Sequence, residues 1–156
     1  MDAMKQWNEL KMNGLYLYFA YGSNLLPSRM IRRCPHALPV GPAILPNYQI
    51  TERLYADVDF RHGSQVFGFL YLLRASDVVA LDRYEGYPAV YKRYMAEVLM
   101  DDVMYPALVY EMTDVTKRVR NGMPYPDAYR RICRSGARIR KIKSHFSQRN
   151  KTHENN

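Results

Sequence analysis

A short apolar segment near the start of the chain ends abruptly in a polar turn. Residues 15–20 read LYLYFA, which predicts a buried strand. The five residues that follow are Tyr21, Gly22, Ser23, Asn24 and Leu25. Glycine permits close backbone approach, while Ser and Asn favour turns and helix starts. Such a turn presents several backbone N–H groups to a carboxylate or an oxyanion, although an ordinary strand end explains the same residues.

Length and composition predict one globular domain. The chain has 156 residues, of which 47% are hydrophobic, which suits a single sizeable core. No apolar run approaches the roughly 20 residues of a membrane span. The first residues mix charged and apolar side chains and lack the apolar centre of a signal peptide. We therefore expect a cytoplasmic protein with no membrane contact.

The cysteines and histidines do not indicate a metal centre. Cys34 and Cys133 lie far apart, and neither belongs to a CxxC pair. We expect two buried thiols in a reducing compartment. The four histidines show no ligand spacing, so no metal or other cofactor is expected from them.

The positive charge is concentrated at the C-terminal end. From Lys117 onward, twelve Lys and Arg face two Asp and Glu, a net charge of +10. Residues 1–116 carry −2, so the total is +8. Such a segment could bind nucleic acid or an acidic partner. A solvated helix face is the preferred interpretation, and no nucleic-acid partner is expected.

The first half of the chain predicts two helices and several strands. Residues 1–12 form either a short helix or a poorly ordered lead. A helix begins at Pro27, and its apolar side contains Met30, Ile31 and Cys34. An extended connection with at most one short strand follows over 39–46, and a strand covers 48–55. Gly63 and Ser64 predict a turn before a central strand over 65–73, in which Gly68 indicates a bulge or close backbone contact.

The second half predicts one more strand pair between two helices. Ser76 and Asp77 indicate a helix start, and that helix ends near residues 84–86. Strands are expected over 91–99 and 103–112. The last helix opens at Pro124 and Pro126, and its apolar stripe comprises Tyr125, Tyr129, Ile132, Gly136 and Ile139. From His145 onward the chain is polar and predicted to be disordered.

These elements do not alternate regularly. They predict an α+β fold with a mixed or antiparallel sheet, with closure into a barrel as one arrangement. We divide the chain into an N-terminal lead (1–14), one domain (15–145) and a tail (146–156).

A second informative segment covers residues 81–88, LDRYEGYP. Glu85 stands at the predicted helix end, before a glycine and a proline, with Tyr84, Tyr87 and Tyr91 nearby. A carboxylate desolvated by aromatic rings has a raised pKa and becomes a usable base near neutral pH. An exposed helix-terminal Glu explains the same pattern, and these residues alone favour that simpler interpretation.

Taken together, the motifs resemble one family, the γ-glutamylcyclotransferase-like group, which includes the AIG2-like proteins. The resemblance covers roughly residues 15–142 and depends on the joint order and spacing of its features. In chain order these are Tyr21 to Leu25, Val66-Phe67-Gly68, Leu70-Tyr71-Leu72, Leu81-Asp82, Tyr84-Glu85-Gly86, Tyr91, Ala107-Leu108-Val109-Tyr110, Pro126, Tyr129 and Gly136-Ala137.

The resemblance implies both a fold and a reaction. The fold is a small mixed β-barrel flanked by helices. In the reaction, the free α-amino group of a γ-glutamyl unit attacks its own γ-carbonyl. The products are 5-oxoproline and an amine or amino acid. No cofactor is implied, since nucleophile and electrophile share one molecule.

The resemblance also implies roles for individual residues. Glu85 matches the catalytic Glu, serving as base and then acid. The backbone N–H groups of Gly22, Ser23, Asn24 and Leu25 would hold the oxyanion or the substrate α-carboxylate. Three tyrosines are implied as substrate contacts, namely Tyr21 at the pocket floor, Tyr91 and Tyr129. Ser23 lacks the G-x-S-x-G elbow and an evident His partner, so it is not expected to be a nucleophile.

Several alternatives stay open at this stage. The substrate is a γ-glutamyl amino acid, a γ-glutamyl amine such as a lysine crosslink remnant, or a γ-glutamyl-protected intermediate. The rival from another class is a non-catalytic binding module that acts through the basic C-terminal helix. The expected state of assembly is a monomer or a homodimer.

Overall fold

The computed structural model describes residues 3–146. Its helices are α1 (Ala3–Met12), α2 (Pro27–Arg33), α3 (Ala75–Glu85), α4 (Asp114–Val119) and α5 (Asp127–Ile139). Its strands are β1 (Leu15–Ala20), β2 (Leu38–Arg53), β3 (Tyr55–Arg74), β4 (Tyr91–Met100) and β5 (Val103–Met112). A single 3₁₀ turn, Ser23–Leu25, lies between β1 and α2.

The strands form a strongly curved sheet that closes on itself in the order β1-β3-β2-β4-β5. Antiparallel pairing joins β1 to β3, β2 to β3, and β4 to β5. The two closing contacts are short: β2 meets β4 at Ile44 and Leu99, and β1 meets β5 in parallel at Tyr18 and Leu108. This architecture confirms the predicted α+β fold with a mixed barrel and flanking helices.

The core lies inside the barrel and under the helices that cover it. Phe19, Leu70, Val98 and Val109, from four different strands, are all fully buried. Each such side chain stabilises the fold by roughly 1.5–3 kcal/mol through removal of apolar surface from water. The last four residues of β1 are buried on both faces, which explains why that segment is apolar without alternation.

The long hairpin of β2 and β3 differs from the prediction. β2 is one strand of 16 residues, not a connection followed by a short strand. Pro39 and Pro46 are tolerated because the pairing is irregular between Pro39 and Gly41 and again between Pro46 and Tyr48. Irregularities of this kind remove the need for a ladder hydrogen bond from the imino nitrogen.

The hairpin reverses at Leu54 rather than at Gly63. Arg53 pairs with Tyr55 across the turn, and Leu54 takes a positive φ of 64°. Its amide donates to the carbonyl of Met123 at 2.8 Å, so a distant segment stabilises this conformation. Gly63 lies instead in a bulge within β3. The prediction of a turn there was wrong.

Several local predictions are confirmed. A Cβ at Gly68 would lie 2.4 Å from the carbonyl oxygen of Ala20, so this glycine permits the expected close backbone contact. Strands β4 and β5 and the end of α3 lie where the sequence places them. Of the residues predicted as a helix or a poorly ordered lead, 3–12 form α1. Cys34 and Cys133 are buried free thiols.

Other predictions about the helices were wrong. Ile31 and Ile139, assigned to apolar helix faces, are 59% and 52% exposed. Helix α4 was not predicted at all. In addition, His145 and Phe146 are ordered: the Phe67 amide donates to Nε2 of His145 at 2.9 Å, and Phe146 is 1% exposed.

Residues 147–156, the rest of the predicted tail, lie outside the described residues. Within residues 3–146, no helix is long and apolar enough to cross a membrane. The same part of the chain contains no cluster of His, Cys, Asp and Glu with metal-ligand geometry.

Candidate functional site

A cleft opens where β1 ends. Its volume is about 380 Å³, which is typical of small-molecule sites. Residues 22–25 are named here the glycine turn, and the first three of them border the cleft. The end of α3, the residues after the β2–β3 turn, and α5 border it as well. Its aromatic lining comprises Tyr18, Tyr21, Tyr55, Tyr84, Tyr91, Tyr110 and Tyr129. Its charged lining comprises Arg29, Arg33, Arg83, Arg120 and Glu85.

The glycine turn contains backbone donors that the described residues leave unused. Gly22, Ser23 and Asn24 line it, and their amides donate to no acceptor among residues 3–146. Leu25 differs, because its amide donates to the carbonyl of Gly22 at 3.2 Å and its side chain is fully buried. Leu25 is not among the residues that line the cleft, and its role as a substrate contact stays a prediction. Its buried side chain and its amide hydrogen bond stabilise the turn.

The side chain of Asn24 is occupied by the protein itself. Its Nδ2 donates to the Tyr18 hydroxyl at 3.0 Å, and its Oδ1 accepts from Nη1 of Arg33 at 3.0 Å. The Tyr71 hydroxyl donates to the Asn24 backbone carbonyl at 2.9 Å. Asn24 is 2% exposed, and these contacts hold the turn in place.

Helix α5 packs directly against the glycine turn at Gly136. A Cβ at Gly136 would lie 2.5 Å from the amide nitrogen of Leu26 and 2.8 Å from the Cβ of Leu25. No side chain larger than hydrogen fits there without movement of the backbone. The predicted Gly136 in the apolar stripe of α5 is therefore the point at which the helix supports the turn.

The backbone of a single residue, Ala56, holds two of the cleft tyrosines. The Tyr91 hydroxyl donates to the carbonyl of Ala56 at 2.9 Å, and the Ala56 amide donates to the Tyr129 hydroxyl at 3.1 Å. The Tyr21 hydroxyl donates to the carbonyl of Tyr110. All three tyrosines predicted as substrate contacts line the cleft, and hydrogen bonds to the backbone fix their rings.

Glu85 is the last residue of α3, and Gly86 ends the helix in the left-handed conformation with φ 63°. Glycine adopts this conformation at no steric cost. Burial raises the pKa of the Glu85 carboxyl to about 7, although the positive charges of Arg33 and Arg29 favour its ionised form. The sequence-based expectation of a desolvated carboxyl agrees with this environment.

Tyrosines surround Glu85 on several sides. The pKa values of Tyr18, Tyr21, Tyr91 and Tyr110 are raised, chiefly by burial and also by the negative charge of Glu85. Their hydroxyl groups therefore stay protonated, as neutral hydrogen-bonding groups, at neutral pH.

The three tyrosines expected around Glu85 do not all contribute. Tyr91 lines the cleft wall and Tyr84 lines the rim, where it is 56% exposed. Tyr87 does not line the cleft. Its ring instead lies under the guanidinium of Arg93 at 4.2 Å, so its assignment to the surroundings of Glu85 was wrong.

Sequence reasoning missed most of the charged lining. Arg29 and Arg33 are four residues apart on α2, a spacing that places them on one helix face and could have indicated a shared role. Arg120 follows α4, the helix that was not predicted, so no signal placed it near the cleft. Ser23 lines the cleft without a histidine among the lining residues.

Comparison with known proteins agrees with this geometry. The family model described as gamma-glutamyl cyclotransferase, AIG2-like, matches residues 18–131. The chain belongs to this family. The matched range includes the glycine turn, Glu85, Tyr91 and Tyr129 and most of the barrel. The family identification that the motifs implied is thereby confirmed.

Solved structures share the cyclotransferase fold. One described as a gamma-glutamyl cyclotransferase is 24% identical, with a TM-score of 0.67 over 81% of this chain and 80% of its own. The human protein loc79017 is 25% identical, with a TM-score of 0.74 over the same shares. YkqA of Bacillus subtilis is 22% identical, with a TM-score of 0.67 over 90% of this chain and 55% of its own. No curated protein sequence matches the chain.

Proposed function

We propose that this member of the cyclotransferase family releases 5-oxoproline from a γ-glutamyl amine or γ-glutamyl amino acid. The observation that carries the proposal is Glu85: it is the only carboxylate among the residues that line the cleft, and burial brings its pKa to about 7. The cleft that contains this carboxyl also contains the unused amides of the glycine turn.

The first step is removal of a proton from the substrate's α-ammonium group. The rise in the Glu85 pKa from 4.5 to about 7 makes this transfer less uphill than transfer to an ordinary glutamate, by about 2.5 pK units or about 3.4 kcal/mol. The raised pKa of Glu85 therefore favours its role as general base.

The freed amine then attacks the γ-carbonyl carbon of the same molecule. A new C–N bond closes a five-membered ring, and the carbonyl oxygen becomes an oxyanion. The amides of Gly22, Ser23 and Asn24 suit that oxyanion, or else the substrate α-carboxylate. Loss of one preorganised donor to an oxyanion typically costs about 3–4 kcal/mol of transition-state stabilisation.

Collapse of the intermediate breaks the bond to the leaving nitrogen. Glu85, now protonated, returns its proton to that nitrogen, so one carboxyl serves as base and acid. After the attack the ring nitrogen carries two hydrogens, and it releases one of them as the lactam of 5-oxoproline forms. The departing amine takes up that proton as an ammonium group, so the enzyme has no net gain or loss of protons. Tyr21, Tyr91 and Tyr129 contribute a rigid wall that holds the substrate near its reactive geometry.

Family membership favours the enzyme over a binding module that acts through α5. Arg131, Arg134 and Arg138 of that helix are exposed and fit a solvated basic face. Cys34 and Cys133 are both free, which fits the proposed cytoplasmic location.

Product analysis tests the proposal directly. The protein is incubated with a panel of γ-glutamyl amino acids and γ-glutamyl amines, and the acid product is identified. Cyclisation gives 5-oxoproline, whereas hydrolysis gives glutamate. The matched control is the same compound with an acetylated α-amino group, which lacks the nucleophile and should release nothing. Release of amine from the acetylated compound would contradict intramolecular attack.

A further inference from the structure

The cleft has an excess of positive charge. Arg29, Arg33, Arg83 and Arg120 line it, against the single carboxylate of Glu85. The lining therefore carries a formal charge of +3 when Glu85 is ionised. Residues 1–116 as a whole carry −2, so this concentration is not a general property of the body of the protein.

Carboxylates of the protein do not neutralise these four arginines. Arg53, Arg93 and Arg130 each form an ion pair with an Asp or Glu. In the described part of the chain, none of the four cleft arginines does so. Arg33 donates to the neutral Asn24 side chain and lies over the Tyr84 ring at 4.6 Å.

Two of the guanidinium groups have hydrogen-bonding capacity that residues 3–146 leave unused. Nε of Arg29 and Nη1 of Arg120 are enclosed and have no acceptor. Buried donors normally have partners, so each unpaired N–H calls for an explanation. A planar carboxylate matches the guanidinium fork of either side chain.

The γ-glutamyl unit does not account for this charge. Its α-ammonium and α-carboxylate cancel, and the amides of the glycine turn offer donors for its oxygens. The arginines come from three parts of the chain: α2, the end of α3 and the residue after α4. Arg29 and Arg33 are near enough to Glu85 to favour its ionised form, while Arg120 does the same for Tyr91. Several elements around the cleft therefore contribute positive charge.

We propose that the leaving group is anionic: the preferred substrate is a γ-glutamyl amino acid with an acidic side chain, bound through Arg120 and Arg29. This inference rests on the proposed function for the identity of the γ-glutamyl part. It ranks acidic amino acids first as leaving groups, then neutral amino acids, and then simple amines. A leaving group with an additional ammonium is disfavoured by the same charges.

The experiment compares two isosteric ligands, γ-glutamyl-glutamate and γ-glutamyl-glutamine, which differ by one charge. Dissociation constants are measured by calorimetry in Glu85→Gln, so that turnover does not interfere. We expect roughly tenfold or greater preference for the acid at low salt, shrinking as NaCl screens the charges. Arg120→Gln added to the same background should reduce that preference, and Arg120→Lys should restore part of it.

The matched control is Arg131→Gln in the same background, since Arg131 is an exposed arginine on α5 that does not line the cleft. It should leave the preference unchanged. Arg29→Gln provides a second test if Arg120→Gln fails to fold. Equal affinities, tighter binding of the amide, or no binding of either ligand would overturn the inference.

Turnover by the wild-type protein separates this inference from the proposed function. If the acid binds more tightly but neither compound yields 5-oxoproline, the anionic-ligand site stands and the proposed reaction fails. If both compounds yield 5-oxoproline at equal kcat/KM and bind equally, the reaction stands and the inference fails.

Discussion

Gly22 lies against Tyr129 so closely that a Cβ at Gly22 would be 2.9 Å from the tyrosine hydroxyl. The same hydroxyl accepts a hydrogen bond from the Ala56 amide at 3.1 Å. The glycine turn, the start of β3 and helix α5 therefore meet at one point. The position of each depends on the absence of a side chain at residue 22.

Gly22→Ala is predicted to reduce kcat/KM by about 10- to 100-fold, because the turn or Tyr129 must move by a few tenths of an ångström and displace the amides. Initial-rate kinetics measure the loss. Tyr129→Phe removes the obstructing hydroxyl, so Gly22→Ala should cost less in that background than alone. Equal losses of kcat/KM in both backgrounds would show that contact with the Tyr129 hydroxyl does not cause the effect of Gly22→Ala.

Gly136→Ala is predicted to destabilise the fold by about 1–3 kcal/mol, the usual cost of overpacking. The reason is that the new methyl meets backbone atoms of Leu25 and Leu26, which cannot swing aside as a flexible side chain does. Urea unfolding of the variant measures the change. Arg134→Ala, an exposed change on the same helix, is the control and should alter stability by less than about 0.5 kcal/mol.

Two parts of the site were predictable from sequence because local chemistry determines them. A glycine with φ 63° ends α3, so the Glu85-Gly86 pair marks a helix end without reference to the rest of the fold. The glycine turn follows a strand that is buried on both faces, and the change from apolar to polar residues marks its position.

The β2–β3 wall of the cleft was not predictable in the same way. Gly63 is a stronger turn signal than Leu54, since leucine rarely takes a positive φ. Leu54 adopts it because its amide bonds to Met123, which lies far along the chain. Tyr55 and Ala56 follow that turn, so their place at the cleft was missed with it. Tertiary contact overrode local propensity here.

Helix α4 was missed although a signal was present. Thr113 accepts a hydrogen bond from the Thr116 amide as an N-cap, and Asp114 follows in the first turn. With only six residues, the helix has no apolar periodicity to support that signal. Arg120 caps its C-terminal end, which explains why this cleft arginine could not be placed from sequence.

The pH dependence of kcat/KM is predicted to show an acid limb with an apparent pKa of about 7, because Glu85 must be ionised to accept the substrate proton. Arg33→Gln removes a charge that favours the carboxylate, so this limb should move to higher pH. Arg32→Gln, an exposed neighbour on α2 outside the cleft, should leave the limb in place. The measurement is the pH profile of kcat/KM for wild type, Arg33→Gln and Arg32→Gln. A shift of the acid limb to lower pH in Arg33→Gln would contradict the electrostatic account.

Stability should depend on pH through the same carboxyl. The folded state raises the Glu85 pKa from 4.5 to about 7, so it binds this proton more tightly than the unfolded chain does. Wild-type stability therefore falls as pH rises through that window, by at most about 3.4 kcal/mol. Glu85→Gln has no carboxyl to ionise at this position, so its stability does not fall with pH in this way. It should be the more stable protein near pH 8, and the two should be nearly equal near pH 4.

Chemical denaturation across that pH range measures this difference. Glu97→Gln, at an exposed position on β4, should follow the wild-type curve. A Glu85→Gln protein that is less stable than wild type near pH 8 would show that the carboxylate is stabilised by its surroundings rather than strained by burial.

The most direct test of the account is 5-oxoproline release by wild type, Glu85→Gln and Glu97→Gln, with a turned-over γ-glutamyl compound at neutral pH. General acid–base catalysis typically contributes about 10²- to 10⁴-fold, so Glu85→Gln should lose at least about 100-fold in kcat/KM while it stays folded. Glu97→Gln should match wild type. Full 5-oxoproline release by folded Glu85→Gln would contradict the central claim that this carboxyl moves the proton.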